Sequence, residues 1–208
     1  YPRIVGRRGV QLGTEYRFLN KKQAGEIGLQ LLPTDRITNK DRWLARVSHT
    51  FRLSSNNSFG LSAIRVSDNN YFADFGASVL AASQRILPAT VQINGNFQGW
   101  QYLTMFQKYQ VLQDPGAPIL PPYEWSPRIR FSNNRILKIN KLDIDASGIF
   151  EMTHFTHPSM AEGTRIVGDA NFSSPLLIGG VRLMPQFGMH LTSYSHSKNG
   201  SQYLTQNR

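Results

Sequence analysis

Apolar and polar residues alternate with a period of two along most of this chain, most strictly over residues 122–132. An extended strand sends successive side chains to opposite faces. The alternation therefore puts Tyr123, Trp125, Ile129 and Phe131 on one face, with Glu124, Ser126, Arg128 and Arg130 on the other. The polar face is long and charged, while the apolar face carries aromatics. That combination predicts the wall of a transmembrane β-barrel, with lipid on one side and water on the other.

The same two-sided pattern recurs in segment after segment. Val10, Leu12, Thr14, Tyr16 and Phe18 oppose Gln11, Gly13, Glu15 and Arg17. After the turn Asn20-Lys21-Lys22, the set Ile27, Leu29 and Leu31 opposes Glu26, Gly28 and Gln30. Trp43, Ala45, Val47, Phe51 and Leu53 then oppose Arg42, Arg46, Ser48 and Arg52. Ser54-Ser55-Asn56-Asn57-Ser58 reads as a turn, because these side chains bond their own backbone. A shorter strand follows through Phe59, Leu61 and Ala63. Later strands carry Leu87, Val91, Ile93 and Phe97; then Leu142, Ile144, Phe150 and Met152; then Ile166, Ala170 and Phe172; and one strand through Val181, Leu183, Phe187, Met189 and Leu191. With a less regular segment over residues 100–111, the chain predicts about nine or ten strands of membrane length. No sustained 3.6-residue apolar period with caps predicts a helix. Asp114-Pro115-Gly116-Ala117-Pro118 is a loop. No shift of composition marks a boundary, so residues 1–208 read as one all-β, antiparallel up-and-down sheet, an incomplete part of a larger barrel.

Composition narrows the classes. No stretch approaches the roughly 20 apolar residues of a membrane helix, so a membrane role has to run through strands. The chain has no Cys, which excludes disulfides and thiolate chemistry within it. No charged-then-apolar leader opens it, and Tyr1 starts inside a strand pattern, as in a mature or excised piece. Lys and Arg number 23 against 13 Asp and Glu, a balance that favours an anionic partner or a basic rim.

Candidate chemistry is sparse. His154 and His157 lie near Ser159 and Glu151, but positions three apart on a strand face opposite sides, so they converge only if Pro158 makes a turn. Asp143 and Asp145 share a face at i, i+2 spacing beside Lys141, the pattern of a carboxylate pair or of plain charge pairing. Gly179-Gly180 alone is no phosphate loop. Arg and Lys interleaved with Tyr and Phe suit single-stranded nucleic acid, but a barrel wall produces the same interleaving, and no nucleic-acid role is expected. No active site, metal or cofactor is expected.

Several runs carry a family resemblance. In order, they are Glu15-Tyr16-Arg17-Phe18-Leu19, Gly25-Glu26, Leu32-Pro33-Thr34-Asp35-Arg36, Asp41-Arg42-Trp43-Leu44 with His49, and the run 66–75 (VSDNNYFADF). Gln107-Lys108-Tyr109-Gln110-Val111-Leu112, Pro122-Tyr123, His154-Phe155-Thr156, Glu162-Gly163-Thr164-Arg165 and Arg182-Leu183-Met184-Pro185 follow. Together they resemble the lipopolysaccharide-assembly family LptD, also called organic solvent tolerance proteins. The resemblance implies the early strands of an outer-membrane barrel of roughly two dozen strands, preceded by a periplasmic jelly roll. It also implies a lipoprotein plug of the LptE kind in the lumen, an LptA-like periplasmic bridge reaching the jelly roll, and outer-membrane lipid around the wall. Lipopolysaccharide would leave by a lateral gate at the first strand.

On that resemblance Pro2 marks the gate, since proline cannot donate to a ladder. Gln11, Glu15, Arg17, Glu26 and Gln30 would line the sugar path or meet the plug, and Arg3, Arg7 and Arg8 would meet lipid phosphates. Two other readings stand beside this one. A passive porin would use the Arg and Glu of the polar faces as its constriction. A barrel protease or lipid deacylase would use His154, His157 and Ser159.

Overall fold

A computed structural model describes residues 1–76, 83–140 and 142–197. The alternating pattern becomes an antiparallel meander. Its strands are β1 (Pro2–Val5), β2 (Gly9–Leu19), β3 (Gln23–Asp35), β4 (Lys40–Arg52), β5 (Asn57–Val66), β6 (Ile86–Phe97), β7 (Trp100–Val111), β8 (Glu124–Ile139), β9 (Leu142–Thr156), β10 (Glu162–Ser173) and β13 (Gln186–Ser197), joined in that order in one eleven-stranded sheet. Two short strands, β11 (Leu176–Ile178) and β12 (Val181–Leu183), pair only with each other. The all-β up-and-down fold expected from the sequence is what forms. No helix among the described residues is long and apolar enough to cross a membrane. The strands from β2 to β10 run 10 to 16 residues, enough for a tilted membrane strand of roughly 9–11.

The chain divides into two units. The first comprises Tyr1–Ile93 with Gln107–Pro122, the second Asn94–Phe106 with Tyr123–Arg208. In the first unit the register places Tyr16 opposite Ile27 and Ile27 opposite Val47, while Arg17 lies opposite Glu26 and Glu26 opposite Ser48. Each row is thus wholly apolar or wholly polar. The apolar rows stand in the open: Leu29 is 48% exposed and Leu12 52%. Contiguous apolar surface of that extent is unfavourable in water and suits a hydrocarbon surround. Towards the β2–β3 turn this face ends in Tyr16, Phe18, His49 and Phe51, whose rings contact one another in sequence, the position of an interfacial aromatic belt.

Four local features depart from the sequence reading. The first is α1 (Tyr71–Phe75), a short helix that the strand pattern does not predict. Its Tyr71, Phe72 and Phe75 are buried with Leu32, Val66, Leu87 and Leu112 in a small apolar core within the first unit. Leu44, from the same face as Arg42 and Arg46, packs against that core. One end of the polar face is therefore apolar, and α1 covers it.

The second is a β-bulge in β8. Trp125 pairs with Phe155, but Arg128 pairs with Thr153, so β8 spends three residues where β9 spends two. One extra residue exchanges the two faces. Ile129 and Phe131 keep their apolar neighbours Met152 and Phe150. Trp125, expected beside them, instead joins Arg128, whose guanidinium lies 5.0 Å from its ring centroid. Tyr123 turns the same way, towards Phe155 and His157.

Third, the single strand expected over residues 181–191 is two. Met184-Pro185 separates β12 from β13, because proline cannot continue a ladder. Gly179 and Gly180, with φ of 57° and 83°, form the two-residue turn between β11 and β12, the role of this pair in place of any phosphate loop. Fourth, the sheet has eleven strands where about nine or ten were expected. The irregular segment over residues 100–111 forms β7 as expected, and the four-residue β1 adds to the count.

The two-faced wall makes a direct prediction for the full-length protein that carries this chain. Leu29→Arg should destabilise it by about 2–4 kcal/mol in lipid vesicles, whereas Ser48→Arg, on the polar face, should change little. Urea unfolding followed by tryptophan fluorescence compares them, and equal losses would refute the assignment of faces.

Candidate functional site

The site is built on the first hairpin and the polar face behind it. β1 is the edge strand, paired with β2 so that Pro2 faces Leu12 and Arg3 faces Gln11. The Tyr1 carbonyl accepts from the Gly13 N–H at 2.8 Å, which makes Tyr1 and Gly13 a hydrogen-bonded pair. Antiparallel pairs alternate, so Pro2 and Leu12 form a pair that is not hydrogen-bonded. The backbone groups of Pro2 therefore point away from β2, towards the open edge. The missing N–H of proline is missing from the side where another strand would dock.

The polar set of β2 and β3 splits into two parts. Glu15, Arg17 and Glu26 form a quartet with Arg46 of β4. Arg17 reaches Glu15 at 2.6 Å and Glu26 at 3.1 Å, and Arg46 reaches the same two carboxylates at 3.1 and 2.8 Å. Two cations meet two anions, so the patch is balanced in charge. Such exposed pairs add little stability each. Gln11 and Gln30 are engaged differently, because α1 covers them. The Gln11 amide donates to the Tyr71 hydroxyl at 2.9 Å, and that hydroxyl donates to the Gln30 carbonyl oxygen at 3.0 Å. Burial pushes the Tyr71 hydroxyl up to about 12, so it keeps the proton it donates.

Charge ties α1 to the wall. Arg42 of β4 is 3% exposed, and its guanidinium meets Asp35 at 3.2 Å, Asp68 at 2.7 Å and Asp74 at 2.6 Å. Its flat face lies 4.6 Å from the Phe75 centroid. Arg8, in the β1–β2 turn, joins from the other side, at 2.7 Å from Asp35 and 2.8 Å from Asp74. The Arg36 N–H also donates to the Arg8 carbonyl at 3.0 Å. The first turn, the third strand's end and the α1 segment are thus one ionic assembly. Burial works against the charge of Asp68, but hydrogen bonds from Arg42 and then from the Ser67 hydroxyl outweigh it and hold its carboxyl below the ordinary 3.8.

The structure thus brings the expected wall residues together, and it adds Asp35, Arg42, Asp68, Tyr71 and Asp74, which strand periodicity does not single out. A signal for the segment is present in the chain: Asp68-Asn69-Asn70 favours a turn, and Tyr71, Phe72 and Phe75 follow at helical spacing. Arg8, expected at lipid phosphates, spends its charge on Asp35 and Asp74. Arg3 and Arg7 are exposed.

In the second unit the two histidines have separate partners. His154 Nδ1 lies 2.9 Å from the Thr164 hydroxyl on β10. Beyond the end of β9, His157 Nδ1 accepts the backbone N–H groups of Ser159 at 3.1 Å and Met160 at 2.9 Å. The Ser159 hydroxyl also lies 3.4 Å from this nitrogen, which the two amides already fill. Glu151 is held by arginines. Asp143 lies opposite Lys138 in register, and Lys141 falls outside the described residues.

A meander of membrane-length strands, apolar on one face and charged on the other, with a proline-bearing edge and a strapped-down helix, defines a wall segment of an outer-membrane-type β-barrel. Comparison with known proteins sharpens this class. The family model for LPS transport system D matches residues 40–207. The LPS-assembly protein LptD of Nitrosomonas eutropha is 33% identical over 199 residues, covering 93% of this chain and 27% of that protein. That of Ralstonia nicotianae is 30% identical over 194 residues, covering 93% and 24%, and that of Thiobacillus denitrificans 32% over 197 residues, covering 94% and 26%. The chain belongs to the LptD family. It spans about a quarter of the length of these curated relatives.

Two outcomes test the ionic assembly in the full-length protein. Arg42→Ala leaves buried Asp35 short of a partner and should cost about 3–5 kcal/mol, seen as faster amide exchange at Gly76, whose N–H is bonded to the Phe72 carbonyl. Arg42→Lys should fall between, since an ammonium cannot serve three carboxylates with a planar fork. For pH the sign follows from the depressed Asp68 carboxyl: its contribution is complete above the ordinary 3.8 and is lost as pH falls through the lower folded value. Pepsin cleavage within residues 67–76 should stay slow from about pH 5 to 4 and accelerate only below that window. Acceleration already at the upper end would refute the ion-pair account.

Proposed function

We propose that this chain is the opening part of an outer-membrane barrel wall that delivers lipopolysaccharide to the outer leaflet, with edge strand β1 as one side of a lateral gate. The observation that carries the reading is the orientation of Pro2. Its lost hydrogen bond falls on the open edge, so pairing within the β1–β2 hairpin is intact while the seam with any further strand is weakened. A glycolipid with a bulky saccharide can leave a closed barrel only where two strands part. A seam short of one donor parts at lower cost.

The remaining assignments follow from this reading. Gln11, Glu15, Arg17, Glu26 and Gln30 belong to the saccharide-facing wall, with α1 covering Gln11 and Gln30 and leaving the charge-balanced quartet open. A lipoprotein plug would stand against this face, and the periplasmic bridge would join through a jelly-roll domain carried elsewhere in the protein. Arg3 and Arg7 are the basic residues free to meet lipid phosphates. The names of the relatives, LPS-assembly proteins, support transport and assembly over an enzyme or a passive porin.

Photo-crosslinking in cells tests the gate. A photoreactive residue at Ile4, exposed beside Pro2 on the apolar face, should form an adduct with lipopolysaccharide in the full-length protein. Inserted protein that gives no adduct, while a control site elsewhere in the translocon labels normally, would overturn the reading. Pro2→Ala restores a donor to the seam and should lower the rate at which new lipopolysaccharide reaches the surface in a pulse-chase.

A further inference from the structure

The second unit holds a charge cluster of a different kind from the balanced quartet. Register aligns Arg128 of β8, Thr153 of β9, Arg165 of β10 and Tyr194 of β13 in one row, and Arg130, Glu151, Val167 and Thr192 in the next. Three guanidinium groups thereby surround one carboxylate. Glu151, whose side chain is 8% exposed, takes Arg128 at 2.7 Å and Arg165 at 3.0 Å, and the Thr153 hydroxyl donates to it at 3.3 Å. Arg130 stands 3.6 Å away, beyond hydrogen-bonding reach. Among the described residues along the groove, the other carboxylate is Asp169, which is bonded to His190.

The arginines are also held in place. Trp125, swung inward by the bulge, lies under Arg128 at 5.0 Å, and Phe155 lies under Arg165 at 5.4 Å. The Nε–H groups of Arg128 and Arg165 are buried and without a partner among the described residues. An unpaired buried donor on a charged group is costly. A groove of about 330 Å³ opens over Arg130, Glu151, Arg165, Val167, His190 and Tyr194. Its size suits a single phosphorylated sugar ring.

We infer that this groove is a binding site for a sugar phosphate of an anionic glycolipid, with Arg130 and Arg165 as its principal contacts. Arg128, Arg130 and Arg165 against Glu151 and Asp169 leave an excess of one positive charge, which a phosphate group on the sugar would meet. Guanidinium forks match phosphate oxygens in geometry as well as in sign. Glu151 holds two of the arginines when the groove is empty, which keeps the site from closing tightly on a cargo that has to move on. The inference rests on the reading that this face carries the saccharide.

The test uses the full-length protein in nanodiscs, with a photoreactive residue at Val167 in the groove wall. Three probes are compared: lipopolysaccharide, the same lipopolysaccharide after phosphatase treatment, and inorganic phosphate as competitor. Intact lipopolysaccharide should label Val167, and phosphatase treatment should reduce labelling about tenfold, the scale of one charged hydrogen bond. Arg130→Gln, chosen because Arg130 is the arginine least tied to Glu151, should produce a similar loss with intact lipopolysaccharide and none with the treated form. Glu151→Gln should instead raise labelling, given unchanged heat-modifiable mobility as the check on folding. Equal labelling by both lipopolysaccharide forms, or no effect of Arg130→Gln, overturns the site. Suppression of labelling by inorganic phosphate at concentrations equal to the glycolipid assigns the groove to free phosphate and overturns the glycolipid source. An Ile4 adduct without a Val167 adduct refutes this inference alone, whereas loss of both refutes the gate reading as well.

Discussion

A backbone amide has nowhere to bond in hydrocarbon except to another strand, and that requirement governs the whole of this structure. It explains why neighbouring strands pair in chain order and why the ladders from β2 through β5 and from β8 through β13 run almost without interruption. Register follows from it, because a slip of one residue would carry charges into lipid and apolar side chains into water. A strand edge is then the expensive place, and Pro2 sits on one. A residue that cannot donate lowers the difference between paired and unpaired edges.

A second, local constraint operates at one end of the first unit. Arg42 is too buried to be left without counter-charge, and Asp35, Asp68 and Asp74 supply it from three separate segments. Burying such a cluster is weak evidence for stability in itself, since apolar packing would often do as well. What it does provide is specificity of placement. The aromatic residues of α1 could slide over an apolar patch, but the forked ion pairs fix one position. Arg8 extends that fixing to the first turn, so the hairpin carrying β1 is anchored at its closed end.

Much of the fold was legible in the sequence, because a period of two is unambiguous when one face is lipid and the other water. The faces of β2, β3, β4, β9 and β10 follow directly from their alternation. The failures have a common physical source: places where one residue departs from the period or where tertiary packing overrides it. The bulge before Arg128 is marked only by Pro127, which cannot donate to the ladder, yet it reverses Tyr123 and Trp125. Pro185 leaves a mark too, and the break between β12 and β13 was there to be read. Of the candidate site, the wall residues Glu15, Arg17, Glu26, Gln11 and Gln30 could be assigned to a face but not to partners. The Arg42 assembly joins residues as far apart in the chain as Arg8 and Asp74, and no local pattern encodes that.

The bulge in β8 has a further meaning for how such walls change over evolutionary time. Between Trp125 and Arg128 the ladder accommodates one surplus residue, and everything on the far side of it follows the opposite parity. Loss of that residue would leave Ile129 and Phe131 where they are and rotate Tyr123 and Trp125 out towards lipid. A tryptophan that now backs an arginine would join a membrane belt with Tyr123 in a single step, with no substitution at all. In a sheet of this kind, length is heritable information about facing, and one-residue insertions and deletions rewrite the surface more sweepingly than most point mutations.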